Sequence, residues 1–101
     1  MINSKQRARL RAIASNEQAI FQTGKNGIGE NFIKQVSDAL KKREIVKITV
    51  LETSPETAKE CASEIAKKTR SELICTIGSK IVLYKENKKK PVISEEINKL
   101  K

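Results

Sequence analysis

The sequence predicts an α/β fold of order α-β-α-β-α-β-β: a compact domain with a mixed four-stranded sheet and helices packed on it. Three observations predict it. Segments with apolar residues at helical spacing alternate with short apolar or alternating runs. A tight Gly-Ser-Lys turn separates the last two runs, as in a hairpin. The 101 residues suffice for one modest core, burying roughly 65% of the unfolded surface. No repeat or linker interrupts the chain, so one domain is expected over 1–101, with a core at about 4–85 and a basic tail at 86–101.

Helix 1 is expected from Ser4, a good N-cap, to about Ala14, with Leu10, Ile13 and Ala14 as its apolar stripe. Arg7 and Arg11 share one flank, and Lys5 and Arg9 the other, with no acidic residue in the same turns. Ala19 to Thr23 reads as strand 1. Helix 2 carries Ile28, Phe32, Ile33, Val36, Ala39 and Leu40 at a 3.6-residue period. It ends in Lys41-Lys42-Arg43, where cations suit the negative end of the helix dipole. Strand 2, Ile45 to Leu51, alternates and so buries one face.

Ser54-Pro55-Glu56 reads as the opening of helix 3, whose stripe is Ala58, Cys61, Ala62, Ile65 and Ala66. Strand 3 is expected over Leu73–Ile77 and strand 4 over Ile81–Tyr84, joined by Gly78-Ser79-Lys80. Each β-α-β unit is expected to be a right-handed parallel crossover. After the charged run Lys85–Lys90, Ser94-Glu95-Glu96 offers a start for a short terminal helix, the alternative being a mobile end.

Composition narrows the function. There are 21 Lys+Arg against 12 Asp+Glu, a net charge of +9. That excess favours polyanions: nucleic acid, an anionic membrane surface or an acidic protein. No apolar run approaches the ~20 residues of a membrane span, and the basic N-terminus is not followed by the apolar segment of a secretory signal. A cytoplasmic protein with no membrane partner is expected. The sequence has no histidine, and Cys61 and Cys75, 14 apart, read as small buried hydrophobes. No metal, cofactor, small-molecule substrate or enzymatic activity is expected. Three aromatic residues, Phe21, Phe32 and Tyr84, are too few for a base-stacking platform.

The informative motif is Gly24-Lys25-Asn26-Gly27, between a strand and an amphipathic helix. Glycines let backbones approach closely, and a helix N-terminus leaves N–H groups for anions. In K-homology domains a Gly-x-x-Gly loop clamps an RNA backbone. The motif lacks the Gly-Lys-Ser/Thr of a P-loop and the third glycine of a dinucleotide fingerprint.

Three blocks together resemble the CRM domain (chloroplast RNA splicing and ribosome maturation). They are Thr23-Gly24-Lys25-Asn26-Gly27-Ile28 with its helix ending in Ala39-Leu40, Glu44-Ile45-Val46-Lys47-Ile48, and Ile77-Gly78-Ser79-Lys80-Ile81-Val82-Leu83-Tyr84-Lys85. The likeness runs from about Ser4 to Lys85, and at this length the chain is similar to stand-alone members of the YhbY type. The resemblance implies a fold akin to the C-terminal domain of translation initiation factor three. It also implies RNA binding and association with precursors of the large ribosomal subunit.

Gly24, Lys25, Asn26 and Gly27 correspond to the family's loop. Arg7, Arg11, Lys34 and Lys80 are expected to widen the RNA-binding surface. Many members carry a Thr or Ser helix cap where this chain has Gly29, and an Arg where it has Lys85. A monomeric assembly factor on ribosomal RNA is the leading expectation. A structural ribosomal or general translation-associated RNA binder is the alternative, and a module for an acidic protein partner is a third.

Overall fold

The computed structural model describes residues 2–24 and 27–100. Eight elements follow in order: α1 (Ser4–Ser15), β1 (Phe21–Thr23), α2 (Glu30–Arg43), β2 (Ile45–Val50), α3 (Ala58–Thr69), β3 (Glu72–Ile77), β4 (Lys80–Tyr84) and α4 (Ser94–Asn98). The mixed α/β class and the predicted order stand, and the terminal segment forms the short helix.

Several boundaries differ for local reasons. The cap of α1 is Asn3, not Ser4: its side chain accepts from Gln6 N at 2.8 Å while the Gln6 side chain accepts from Asn3 N at 2.9 Å. This reciprocal box satisfies two amides at once, which Ser4 in place of Asn3 cannot do with Arg7. The same device starts α3 at Ala58, with Thr57 and Glu60 as the pair. Ser54 instead shapes the preceding turn, its hydroxyl accepting from Glu56 N. Strand β1 keeps three of the five expected residues, and α2 begins at Glu30 rather than Ile28.

The sheet order is β1-β2-β4-β3. β1 runs parallel to β2, and β4 is antiparallel to both β2 and β3. The crossover through α3 therefore joins two strands that point the same way but are not neighbours, because β4 lies between them. The expected antiparallel hairpin is present, with an irregularity between Leu73 and Cys75 that makes Ile74 a bulge.

Strand alternation divides the interior in two. On one face, Val36 and Leu40 of α2 and Cys61, Ala62 and Ile65 of α3 pack on Val46, Ile48, Val50, Ile81 and Leu83. On the other, Leu10 and Ala14 of α1 and Ile97 of α4 pack on Ile45, Ile74, Val82 and Tyr84. The small residues predicted for the α3 stripe fill its contact. Cys61 is buried as expected and Cys75 is half-buried; both are free thiols.

The tail is pinned at both ends of α4. Glu44 ends α2 in the left-handed conformation, at φ 66°. Its buried carboxylate accepts amides of Asn87, Val92, Ile93 and Ser94 at 2.6–2.9 Å. Burial pushes its pKa up, but the hydrogen bonds from Asn87, Ser94 and Val92 outweigh that and leave it below the ordinary carboxylate value. At the other end, Gln6 Nε2 donates to Ile97 O at 3.0 Å and Asn3 Nδ2 to Leu100 O at 3.4 Å. The tail also supplies the acidic partner that the turns of α1 lack, since Arg9 pairs with Glu96.

Candidate nucleic-acid interface

Parallel pairing of Thr23 with Val50 puts the glycine loop at the C-terminal end of β1 and β2. Leu51 N donates to Thr23 O at 2.8 Å, and Val50 N to Ser79 O at 2.7 Å. The loop, the β2–α3 connection and the β3–β4 turn thus gather at one end of the sheet. Lys25 and Asn26 lie outside the described residues; the two glycines flank them in the sequence.

Each glycine has its own reason. A Cβ on Gly24 would meet the side-chain atoms Thr53 Oγ1 at 3.0 Å and Leu51 Cδ1 at 3.3 Å, a close approach that those side chains would have to yield to by a few tenths of an ångström. Gly27 holds φ +69°, the left-handed region that favours glycine. Gly27 N donates to Gly24 O at 2.9 Å and closes a four-residue turn. That amide is therefore occupied internally. Among the described groups, the anion-seeking amides belong to the start of α2, where Gly29 caps with backbone alone and no side-chain hydrogen bond is made. Phe21 and Phe32 meet edge to face, with ring centroids 6.0 Å apart, which holds the first turn of α2 against β1.

The other expected residues separate. Lys80 is exposed at the glycine-loop end, and pairing places Gln22, Thr49 and Lys80 in a row across three strands. Lys34 is exposed on α2, on the opposite side of the sheet from α1. Arg11 is exposed on α1. Arg7 is half-buried: its Nη1 donates to Leu73 O at 2.8 Å and Ile74 O at 2.6 Å, at the bulge and away from the loop.

Two neighbours escape sequence reasoning. Lys68 lines a groove of about 450 Å³ with Ile28, Gly29, Glu30 and Ile33, bringing a cation from α3 to the start of α2. Glu56 places Oε1 3.8 Å from where a Gly27 Cβ would stand, so a carboxylate also borders the loop. No local signal announces either, because tertiary packing brings both from α3 or its approach. No group of His, Cys, Asp or Glu among the described residues is arranged to hold a metal ion. No described helix is long and apolar enough to cross a membrane.

The chain is thus a basic α/β domain with a glycine pair before a helix whose start no side chain caps. Comparison with known proteins places it in a family: residues 2–85 match the CRS1/YhbY (CRM) domain, and the chain belongs to that family. It is 44% identical to the probable RNA-binding protein YqeI of Bacillus subtilis strain 168, over 87% of this chain and 92% of that one. An RNA-binding protein of Haemophilus influenzae is 27% identical over 83% and 85%. The solution structure of SAV1595 from Staphylococcus aureus, a candidate RNA-binding protein, superposes with a TM-score of 0.74 at 48% identity, covering 87% and 92%.

Proposed function

We propose that this protein binds ribosomal RNA in precursors of the large ribosomal subunit, as a cytoplasmic, monomeric and non-enzymatic assembly factor. The observation that carries the RNA-binding reading is the glycine turn set before an α2 N-terminus that no side chain caps. A phosphate there meets free backbone amides and the positive end of the helix dipole. Lys25 and Asn26 stand between the two glycines in the sequence, Lys80 lies at the same end of the sheet, and Lys34 and Arg11 supply charge farther out, whereas the Arg7 guanidinium is taken up by the bulge carbonyls. Two relatives and a solved neighbour named for RNA binding support the reading. Assembly-factor action rests on the resemblance to stand-alone CRM proteins.

The test combines binding with fractionation. Exchanging Lys25→Asp and Asn26→Asp is expected to weaken binding to large-subunit ribosomal RNA and leave the melting temperature unchanged. The slope of log K against log[salt] should shrink by roughly 0.7–0.9 for each phosphate no longer neutralised. In sucrose gradients the protein should travel with immature large subunits and be absent from polysomes. Persistence in mature ribosomes would make it a structural component instead. Unchanged RNA affinity in the loop variant would remove the loop from the mechanism.

A further inference from the structure

At the opposite end of the sheet, where β2 begins, lies a second basic feature. A groove of about 440 Å³ opens between the C-terminal turn of α2 and the segment after β4. Lys41, Lys85, Lys88 and Lys89 line it, against one carboxylate, Glu86, whose Oε2 accepts from Asn98 Nδ2 at 2.9 Å. The ion pairs found among the described residues, Arg9–Glu96 and Lys68–Glu64, use none of these lysines. Lys85 Nζ donates to Thr69 O, while Lys41, Lys88 and Lys89 are exposed.

The lysines are held in place by the backbone beneath them. Asn87 Nδ2 donates to Lys41 O at 2.7 Å, and Asn87 Oδ1 accepts from Lys89 N and Lys90 N, both at 3.1 Å. Asn87 N in turn donates to the buried Glu44. The loop bearing Lys88 and Lys89 is thus tied to the end of α2, so an incoming polyanion has little backbone left to order. The Glu44 carboxylate that anchors this loop is itself occupied by four backbone amides. No aromatic ring lines the groove to orient a small ligand, and four of its lining residues are lysines. That pattern suits a chain of phosphates.

We propose that this groove is a second RNA-backbone site, in which Lys41, Lys88 and Lys89 contact phosphates at the far end of the sheet from the glycine loop. It rests on the RNA-binding reading above and extends it: the six residues of β2 separate the ends by roughly 17 Å at 3.3 Å per residue. One RNA engaging both ends must run along the molecule.

The experiment measures binding of a short structured RNA hairpin across a salt series for three proteins: the unaltered chain, the loop variant, and a variant combining Lys41→Gln, Lys88→Gln and Lys89→Gln. The lysine variant removes exposed heads only and should keep its melting temperature. With three phosphates left unneutralised, the salt slope should shrink by about 2 to 3 and binding should weaken about a hundredfold at 0.1 M salt. If the triple exchange unfolds, Lys88→Glu alone should still reduce the slope by about 1. A folded lysine variant with unchanged affinity and slope, beside a weakened loop variant, overturns this site and leaves the RNA reading intact. An unaltered protein that ignores RNA but sediments with phosphatidylglycerol vesicles overturns both.

Discussion

Replacing Glu44 by Gln puts the most weight on a single atom group. The carboxylate is fully buried and receives four backbone amides, three of them from consecutive residues at the start of α4. Hydrogen bonds to a charged acceptor contribute about 1.5–3 kcal/mol each. Four would sum to roughly 6–12 kcal/mol, but the tail can instead peel away and return its amides to water. The loss is then capped by what docking contributes, chiefly burial of Ile97, about 1.5–3 kcal/mol. An expected cost of about 2–3 kcal/mol at pH 7 follows. Glutamine keeps one acceptor oxygen and turns donors toward amides that are themselves donors.

The readout is urea unfolding at a series of pH values, with amide NMR shifts of residues 92–94 as a local probe. Glu44 has its folded pKa depressed below the ordinary 4.5. Its contribution is therefore present above about pH 4.5 and drains away as the pH falls through the depressed folded value. The two proteins should differ most near neutrality and converge in acid. A variant whose urea midpoint matches wild type at pH 7, with the same acid limb and unshifted amides, would refute the clamp.

Other outcomes follow from individual side chains. Tyr84 is the chain's one tyrosine, and there is no tryptophan, so its ultraviolet titration is unobstructed. Burial first, then the negative charges of Glu44 and Glu86, push its pKa up to about 12. Its contribution should be intact below the ordinary value of 10 and be lost as the pH rises through 12; a midpoint near 10 in the folded protein would show the hydroxyl to be wet. Arg7→Ala should cost about 1.5–3 kcal/mol by stripping the charged donor from two bulge carbonyls. Arg7→Lys should recover only part of that stability, because an ammonium lacks the planar fork. Full stability in the alanine variant would return Arg7 to the RNA-facing set.

The sequence announces much of this architecture, and the exceptions are physically specific. Val36, Leu40, Cys61, Ile65 and the alternation in β2 are legible because one-sided burial writes a period into the chain. The misplaced caps were still readable in principle: Asn3-x-x-Gln6 and Thr57-x-x-Glu60 are reciprocal pairs, whereas Ser4 and Ser54 are only suitable residue types. Insertion of β4 between β2 and β3 has no local signature, because strand order is decided by packing among distant segments. Glu44 is the least legible residue. It follows Lys41-Lys42-Arg43 and looks like one more charge on a wet helix end. Only the left-handed turn aims it inward, and only the tail makes that aim favourable. For the same reason Lys68 beside Gly29, and the lysine groove, emerge from the fold alone.

The sheet's two margins bear on how copies of the protein meet. β1 presents three residues, too short a stretch to recruit a stranger. β3 is longer, but it is broken by its bulge at Ile74, and the Arg7 guanidinium occupies the carbonyls of Leu73 and Ile74. An invading strand finds no unbroken ladder on either border. The arginine that steadies the bulge therefore also takes up two backbone acceptors that an added strand would need.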